Sequence, residues 1–175
     1  MGNGLNHQWN LRMNKKILFC RHAEAEIGYP ELHDHDRVLS KRGIEVSNKT
    51  STFLLSENIN PDIYISSSAS RAIETCSIIK AENDNCKTKI FREIYTQGLS
   101  GIEDAIRGVS DVYKMIALFG HNPSLSQIYN NSSNTDNIDL PPSGIYIADI
   151  DISSWANFKF PYISIEMLIT PNNIK

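Results

Sequence analysis

The stretch Lys16-Ile17-Leu18-Phe19-Cys20-Arg21-His22 places a short apolar run directly before an arginine and a histidine. Uninterrupted apolar runs of this length are typical of strands that are buried on both faces of a mostly parallel sheet. In open α/β sheets, functional groups collect just past the carboxyl ends of the strands. The run therefore predicts a central strand, and the pair Arg21-His22 predicts a site at its end.

The rest of the chain alternates predicted strands with predicted helices. Further strands are expected at 62–66, 88–91, 115–119, 144–151 and 163–169, and helices at 41–56, 69–80, 101–113 and 123–129. Ser40 fits the N-cap position of the first helix. This alternation predicts a three-layer α/β/α fold with a mostly parallel central sheet and an antiparallel edge strand at 163–169.

The length of 175 residues fits one domain, and surface scaling predicts that roughly 70% of the unfolded chain's surface can be buried. Residues 1–14 are rich in Asn and Gly and show no periodicity. We expect them to form a loose N-terminal leader. A single domain is expected over 15–175.

Charge and composition exclude several classes of function. There are 17 Lys and Arg against 20 Asp and Glu, a net charge of −3 that argues against broad nucleic-acid binding. No apolar run approaches the ~20 residues of a membrane span, so no membrane partner is expected. The cysteines Cys20, Cys76 and Cys86 form no Cys-x-x-Cys pair and predict reduced thiols in a cytoplasmic protein.

A second histidine and a second arginine occupy equivalent places. His121 follows the fourth predicted strand, and Arg71 opens the helix after the second. Together with Arg21 and His22, they would meet at one rim of the sheet. Arginines fork onto phosphate oxygens, a neutral imidazole is a nucleophile, and the starts of nearby helices favour anions. Taken alone, each histidine could be an ordinary surface or core residue. Because both histidines follow strands and are accompanied by two arginines, the set predicts a phosphoryl-transfer site without metal.

These residues resemble the histidine phosphatase superfamily. Arg21-His22-Ala23 is similar to its Arg-His-Gly or Arg-His-Ala signature, and Gly120-His121-Asn122-Pro123 to the second signature of its SixA-type phosphohistidine phosphatase branch. Weaker similarities lie at Arg37-x-Leu39-Ser40-x-x-Gly43, Ser66–Ala72 with Thr75, Glu93-Ile94-Tyr95, Leu140–Gly144 and Trp155. The resemblance covers about 16–170. It implies a phosphoglycerate mutase-like fold, without a large cap insertion.

The resemblance also implies a mechanism without metal or other cofactor. His22 would attack phosphorus and become phosphohistidine, while Arg21, Arg71 and His121 hold the phosphoryl oxygens. Water would then release phosphate. Glu93 is the candidate general acid, against an ordinary solvated Glu.

Asn122 is a further candidate phosphate contact. Inorganic phosphate or vanadate would bind in the same pocket. The expected substrate is a phosphohistidine protein, because the short interval between Arg71 and His121 leaves little room for a cap and predicts an open pocket. A small phosphorylated metabolite, or a weakly catalytic protein that binds a phospho-ligand, are the alternatives.

The cluster His33-Asp34-His35-Asp36 admits two interpretations. Imidazole and carboxylate groups bind transition metals, and HD-type metal phosphohydrolases carry a similar pattern. Those enzymes are all-helical, whereas this chain has several predicted strands. A solvated loop at the rim of the site is therefore favoured. Ser68 replaces the proline usual in the resembling branch, which loosens the turn before Arg71.

Overall fold

A six-stranded sheet forms the centre of the computed structural model, which describes residues 15–28, 33–81, 85–133 and 135–174. The expected leader lies outside these residues. The strands are β1 (Lys15–Arg21), β2 (Ile63–Ser67), β3 (Lys87–Phe91), β4 (Met115–Gly120), β5 (Ile145–Ile150) and β6 (Ile163–Ile169). Their order across the sheet is β3-β2-β4-β1-β5-β6.

Parallel pairing dominates the sheet, as predicted. β1 pairs in parallel with β4, and β2 with both β3 and β4. β5 runs antiparallel to β1 and to β6, which lies at the edge. The prediction of a mostly parallel α/β sheet with an antiparallel edge strand at 163–169 is confirmed, since β6 lies at the edge and pairs antiparallel with β5. The strand that runs opposite to all the others is β5, one place in from the edge.

Helices cover both faces of the sheet. They are α1 (Lys41–Ser56), α2 (Ser70–Lys80), α3 (Glu93–Thr96), α4 (Leu99–Arg107) and α5 (Ser124–Ser132). The first has the predicted bounds, and the Ser40 hydroxyl caps it by accepting from the Gly43 amide at 3.0 Å. No helix in the described ranges is both long and apolar enough to span a bilayer.

The predicted helix at 101–113 is wrong at both ends. The structure has two helices here, α3 and α4, separated by a turn in which Gly98 adopts φ +57°. This left-handed backbone suits glycine and interrupts the helix. α4 ends at Arg107, with Gly108 in the C-cap position at φ −80°, and the segment up to β4 turns instead of continuing as a helix.

The core lies on both faces of β1. Leu18 and Cys20 pack into one cluster with side chains of α1 and α2, and Ile17 and Phe19 into another with α3, α4 and α5. All four side chains are fully buried. This is the burial on both faces that the apolar run predicts. It holds β1 inside the sheet, between β4 and β5, and so fixes the position of its carboxyl end.

Candidate active site

Strand register brings the two predicted histidines together. Arg21 pairs with Gly120 across β1 and β4, so His22 and His121 leave the sheet side by side. Their ring centroids lie 5.0 Å apart, and the His22 amide donates to the carbonyl of Gly120 at 3.1 Å. Arg71, in the first turn of α2, donates from Nε to His22 Nε2 at 3.2 Å. His22, His121 and Arg71, which follow three different strands, therefore lie together at one edge of the sheet.

His22 is held in one tautomer by its neighbour. Its Nδ1 lies 2.7 Å from the carbonyl oxygen of Ala23, which can only accept, so Nδ1 carries the proton. The lone pair is therefore on Nε2. Burial, and then the charges of Arg71 and Arg21, lower the pKa of His22 to about 4, although its bond to Ala23 opposes the shift. The ring is neutral at pH 7, with Nε2 available as a nucleophile.

His121 is a second neutral imidazole. Burial is the main cause that lowers its pKa to about 3, followed by the neighbouring His22 and Arg71. Its Nε2 shares a hydrogen bond of 2.7 Å with the hydroxyl of Ser67, at the end of β2. Its Nδ1 is buried and has no hydrogen-bond partner among the described residues. Ser67 thus holds the His121 ring in place, a contact that the sequence analysis, which gave Ser67 only as part of the Ser66–Ala72 motif, did not predict.

Arg21 and Asn122 both reach the loop before β5. Arg21 Nη1 donates to the carbonyl of Leu140 at 2.5 Å, and burial lowers the pKa of its guanidinium. The side-chain amide of Asn122 donates to Asp139 at 2.6 Å and to Leu140 at 3.0 Å. Both N–H groups of Asn122 are thus used on the loop, and its contact with phosphate stays a prediction.

Asp34 joins the pocket, although the sequence analysis placed it in a solvated loop. Its carboxylate accepts from Arg71 Nη2 at 2.9 Å, from the Tyr95 hydroxyl at 3.0 Å and from Arg37 Nη1 at 2.9 Å. Its backbone carbonyl accepts from Arg71 Nη1 at 2.5 Å. Partial burial opposes ionisation, but the bonds from Arg37, Tyr95 and Arg71 hold the pKa of Asp34 at about 2.

The rest of the His33–Asp36 cluster holds this turn in place. His35 Nε2 shares a hydrogen bond of 2.9 Å with the hydroxyl of Ser68, and its Nδ1 lies 2.9 Å from Asp36. Ser68 thus links the turn to the start of α2 through a side-chain hydrogen bond that a proline could not make. Within the described ranges, no three His, Cys, Asp or Glu side chains are grouped to hold a metal ion.

Glu93 stands apart from this arrangement. It is exposed at the start of α3, and its carboxylate makes no hydrogen bond within the part of the chain that the structure describes. A cleft of about 640 Å³ opens over the pocket, and Asp34, Arg71, Tyr95, His121, Asn122 and Gln127 are among its lining residues. Glu93 is not among them, and its role as the acid stays a prediction.

No sequence motif singled out Asp34. It stands three residues before Arg37, just outside the motif Arg37-x-Leu39-Ser40-x-x-Gly43. Tyr95 appeared only as a weak motif residue, although its ring packs edge-on against His121, with centroids 5.5 Å apart.

A neutral histidine, flanked by arginines and a second histidine at the edge of a mostly parallel sheet, is the arrangement that the histidine phosphatase resemblance implies. Comparison with solved structures shows that the chain has the histidine phosphatase fold.

Three solved structures illustrate this likeness. The structure assigned as phosphohistidine phosphatase SixA of Agrobacterium tumefaciens has a TM-score of 0.76 and 19% identity over 90% of this chain and 98% of that one. The protein histidine phosphatase SixA complexed with tungstate gives 0.74 and 14% over 91% and 99%. The α-ribazole phosphatase of Shigella flexneri gives 0.62 and 14% over 89% and 96%. The predicted phosphoglycerate mutase-like fold is confirmed.

Comparison with known sequences matches a smaller part of the chain than comparison with solved structures. An uncharacterized chloroplastic protein of Arabidopsis thaliana is 33% identical over 72 residues, which cover 41% of this chain and 33% of that protein. The match thus spans about a third of that relative's length. No family model matches the chain.

Proposed function

We propose that this protein is a phosphatase that works without a metal ion and forms a phosphohistidine at His22. One observation carries the proposal: the Ala23 carbonyl fixes the proton on Nδ1 of a ring whose pKa is about 4, so the lone pair that would attack phosphorus is on Nε2. In the free protein this lone pair accepts a hydrogen bond from Arg71 Nε, which would turn to the phosphoryl group when substrate binds. The fold shared with solved phosphatases supports the proposal.

The pocket supplies what phosphoryl transfer requires. Nε2 of His22 would form a bond to phosphorus as the bond to the leaving group breaks on the opposite side. Negative charge on the three remaining oxygens would be stabilised by Arg21, Arg71 and His121. An arriving phosphoryl dianion would also raise the pKa of His121, because it offsets the arginine charges. Water would then hydrolyse the phosphohistidine and regenerate His22.

The proposed substrate is a phosphohistidine on a protein. The interval between Arg71 and His121 is taken up by α2, β3, α3, α4 and β4, and the cleft above the pocket is open to solvent. Such a cleft admits a phosphorylated side chain on a protein surface, but wraps little of a small metabolite. An imidazole leaving group, with a reference pKa of ~6.5, also needs little help from a general acid.

Structural likeness supports the same choice of substrate. The TM-scores are 0.76 and 0.74 with SixA structures, 0.62 with the α-ribazole phosphatase and 0.58 with an Entamoeba histolytica phosphoserine phosphatase variant in complex with phosphoserine. Phosphohistidine, α-ribazole phosphate and phosphoserine are therefore the three substrates to compare.

Radiolabelled phosphohistidine peptide tests the reaction. Wild-type protein quenched during turnover should carry an acid-labile, alkali-stable phosphate, and His22→Asn should carry none. His33→Asn is the matched control, because His33 is an exposed histidine outside the pocket. Label on folded His22→Asn would overturn the assignment of the nucleophile. A higher kcat/KM on phosphoserine or α-ribazole phosphate would overturn the substrate but retain the reaction.

A further inference from the structure

The Asp34 carboxylate is hydrogen-bonded to Arg71, one of the residues predicted to bind phosphate. Both terminal nitrogens of Arg71 donate to Asp34, one to the carboxylate at 2.9 Å and one to the backbone carbonyl at 2.5 Å. The remaining nitrogen, Nε, donates to His22 Nε2 at 3.2 Å. Arg71 therefore connects the proposed nucleophile on one side with the carboxylate on the other.

The exposure of the two side chains shows which of them lies nearer to solvent. The Arg71 side chain is 7% exposed and that of Asp34 is 55% exposed, so Asp34 lies on the solvent side of the guanidinium. In-line attack by His22 from the floor of the pocket would expel the leaving group toward the mouth. The water that later attacks the phosphohistidine must approach from that same side. Asp34 lines the mouth where both pass.

We propose that Asp34 is the general base that accepts a proton from the water attacking phospho-His22. This inference rests on the proposed function, because it needs the phosphohistidine to form. In this step the water oxygen forms a bond to phosphorus, and the bond from phosphorus to Nε2 breaks. Its electron pair returns to Nε2, and the released proton goes to the Asp34 carboxylate. Asp34 then loses that proton to the departing phosphate or to solvent.

Asp34 keeps two hydrogen bonds when Arg71 turns to the phosphoryl group. Arg37 donates to Oδ1 at 2.9 Å, and Tyr95 donates to Oδ2 at 3.0 Å. Arg37 is itself fixed, since its Nε donates to the carbonyl of Glu26 at 2.9 Å. The Tyr95 ring is packed between two histidines, with centroids 5.0 Å from His35 and 5.5 Å from His121. The carboxylate therefore stays oriented at the mouth throughout the reaction.

The Asp34 carboxylate is ionised in the free protein. Its pKa of about 2 means that it carries no proton at neutral pH, although in this state it is only a weak base. A phosphoryl group on His22 would raise that pKa, because it adds a negative charge and draws Arg71 away. Proton affinity thus rises when the proton has to be taken. Neither Glu93, which lies outside the cleft, nor Asp36, which bonds His35, is placed to do this.

Rapid-quench measurement of Asp34→Asn tests the inference. The amide keeps the size of the side chain but cannot take the proton. With radiolabelled phosphoramidate, a small donor with a good leaving group, labelling of His22 should slow less than about tenfold. Release of the label should slow by about 10²-fold or more, which is the usual contribution of a general base. Most of the variant should therefore accumulate as phosphohistidine during steady turnover.

Asp36→Asn is the matched control, because it removes an equal charge from the same turn and leaves Arg71 and Tyr95 untouched. It should label and release at wild-type rates. Equal slowing of labelling and release in Asp34→Asn would show that Asp34 only positions Arg71, and would overturn the inference. Unchanged release would overturn it too. If wild-type protein never becomes labelled, the proposed function fails, and the inference with it.

Discussion

Replacing Arg71 by alanine should abolish most of the affinity for orthovanadate, a phosphate analogue. Arg71 is 6% exposed and presents three donors, one toward His22 and two toward Asp34. A tetrahedral oxyanion bound against His22 would take over the two terminal nitrogens. The variant removes both of these hydrogen bonds and leaves the Asp34 carboxylate beside the anion without its bond to Arg71.

The size of the effect follows from those bonds. Two hydrogen bonds to a charged group contribute about 1.5 to 3 kcal/mol each. Vanadate must first displace Asp34 from Arg71, so the net loss lies near the lower limit, about 3 kcal/mol or roughly 100-fold in Kd. At a vanadate concentration of about 100 times the wild-type Kd, ligand binding stabilises the wild type by about 2.7 kcal/mol. That raises Tm by roughly 5 to 11 °C for a domain of this size.

At the same concentration the Arg71→Ala protein would be half saturated, which adds only about 0.4 kcal/mol and 1 to 2 °C. The measurement is the change in Tm on adding vanadate, taken for each protein against its own ligand-free value. Arg42→Ala is the charge-matched control, since the Arg42 side chain is 79% exposed and lies 4.0 Å from Glu24. The Arg42→Ala protein should show the full rise in Tm on adding vanadate. An Arg71→Ala protein with the wild-type shift would show that Arg71 does not bind the anion.

Three further changes probe stability and the rim. Because the pKa of His22 falls from 6.5 to about 4 on folding, this residue lowers the free energy of unfolding as the pH drops through that window. Between pH 7 and pH 4, His22→Gln should therefore lose about 3 kcal/mol less of its free energy of unfolding than the wild type, measured by urea unfolding. An equal loss in the two proteins would contradict this. Ser68→Ala loses the 2.9 Å bond to His35 and should raise KM by less than about tenfold at constant kcat, so a large fall in kcat would contradict a rim role. In Gly101→Ala the new Cβ would overlap a backbone carbonyl of α3 and should lower Tm by several degrees, whereas in Gly108→Ala it meets nothing closer than 3.6 Å and should leave Tm nearly unchanged.

Elements with a strong local signal are those that the sequence predicted well. The apolar runs before Arg21 and before Gly120 became β1 and β4, because two-sided burial requires uninterrupted apolar residues. Ser40 predicted the start of α1 because a cap is a local hydrogen bond between neighbouring residues. The meeting of His22 and His121 was predictable for a similar reason, since parallel strands end at one edge.

Features decided by contacts between distant segments escaped prediction. The short helix α3 and the turn at Gly98 lie before the predicted helix at 101–113, and the turn depends on a backbone angle that the sequence pattern does not reveal. The place of Asp34 depends on a buried arginine 37 residues further along the chain and on Tyr95, 61 residues along. A stretch of alternating His and Asp is typical of a solvated loop until those partners are known, and only the fold brings them within bonding distance.

The charges of this site act twice in the proposed reaction. In the free protein, Arg21 and Arg71 help to lower the pKa of both histidines, which keeps Nε2 of His22 unprotonated. When a phosphoryl dianion arrives, the same arginines bind its oxygens, and the histidines regain proton affinity because the net positive charge falls. Asp34 balances Arg71 before the dianion arrives, which limits the positive charge that would otherwise retain the phosphate product. A site with a stronger positive field would bind phosphate more tightly and release it more slowly, so in the proposed reaction we expect the carboxylate on Arg71 to favour the release of phosphate over its retention.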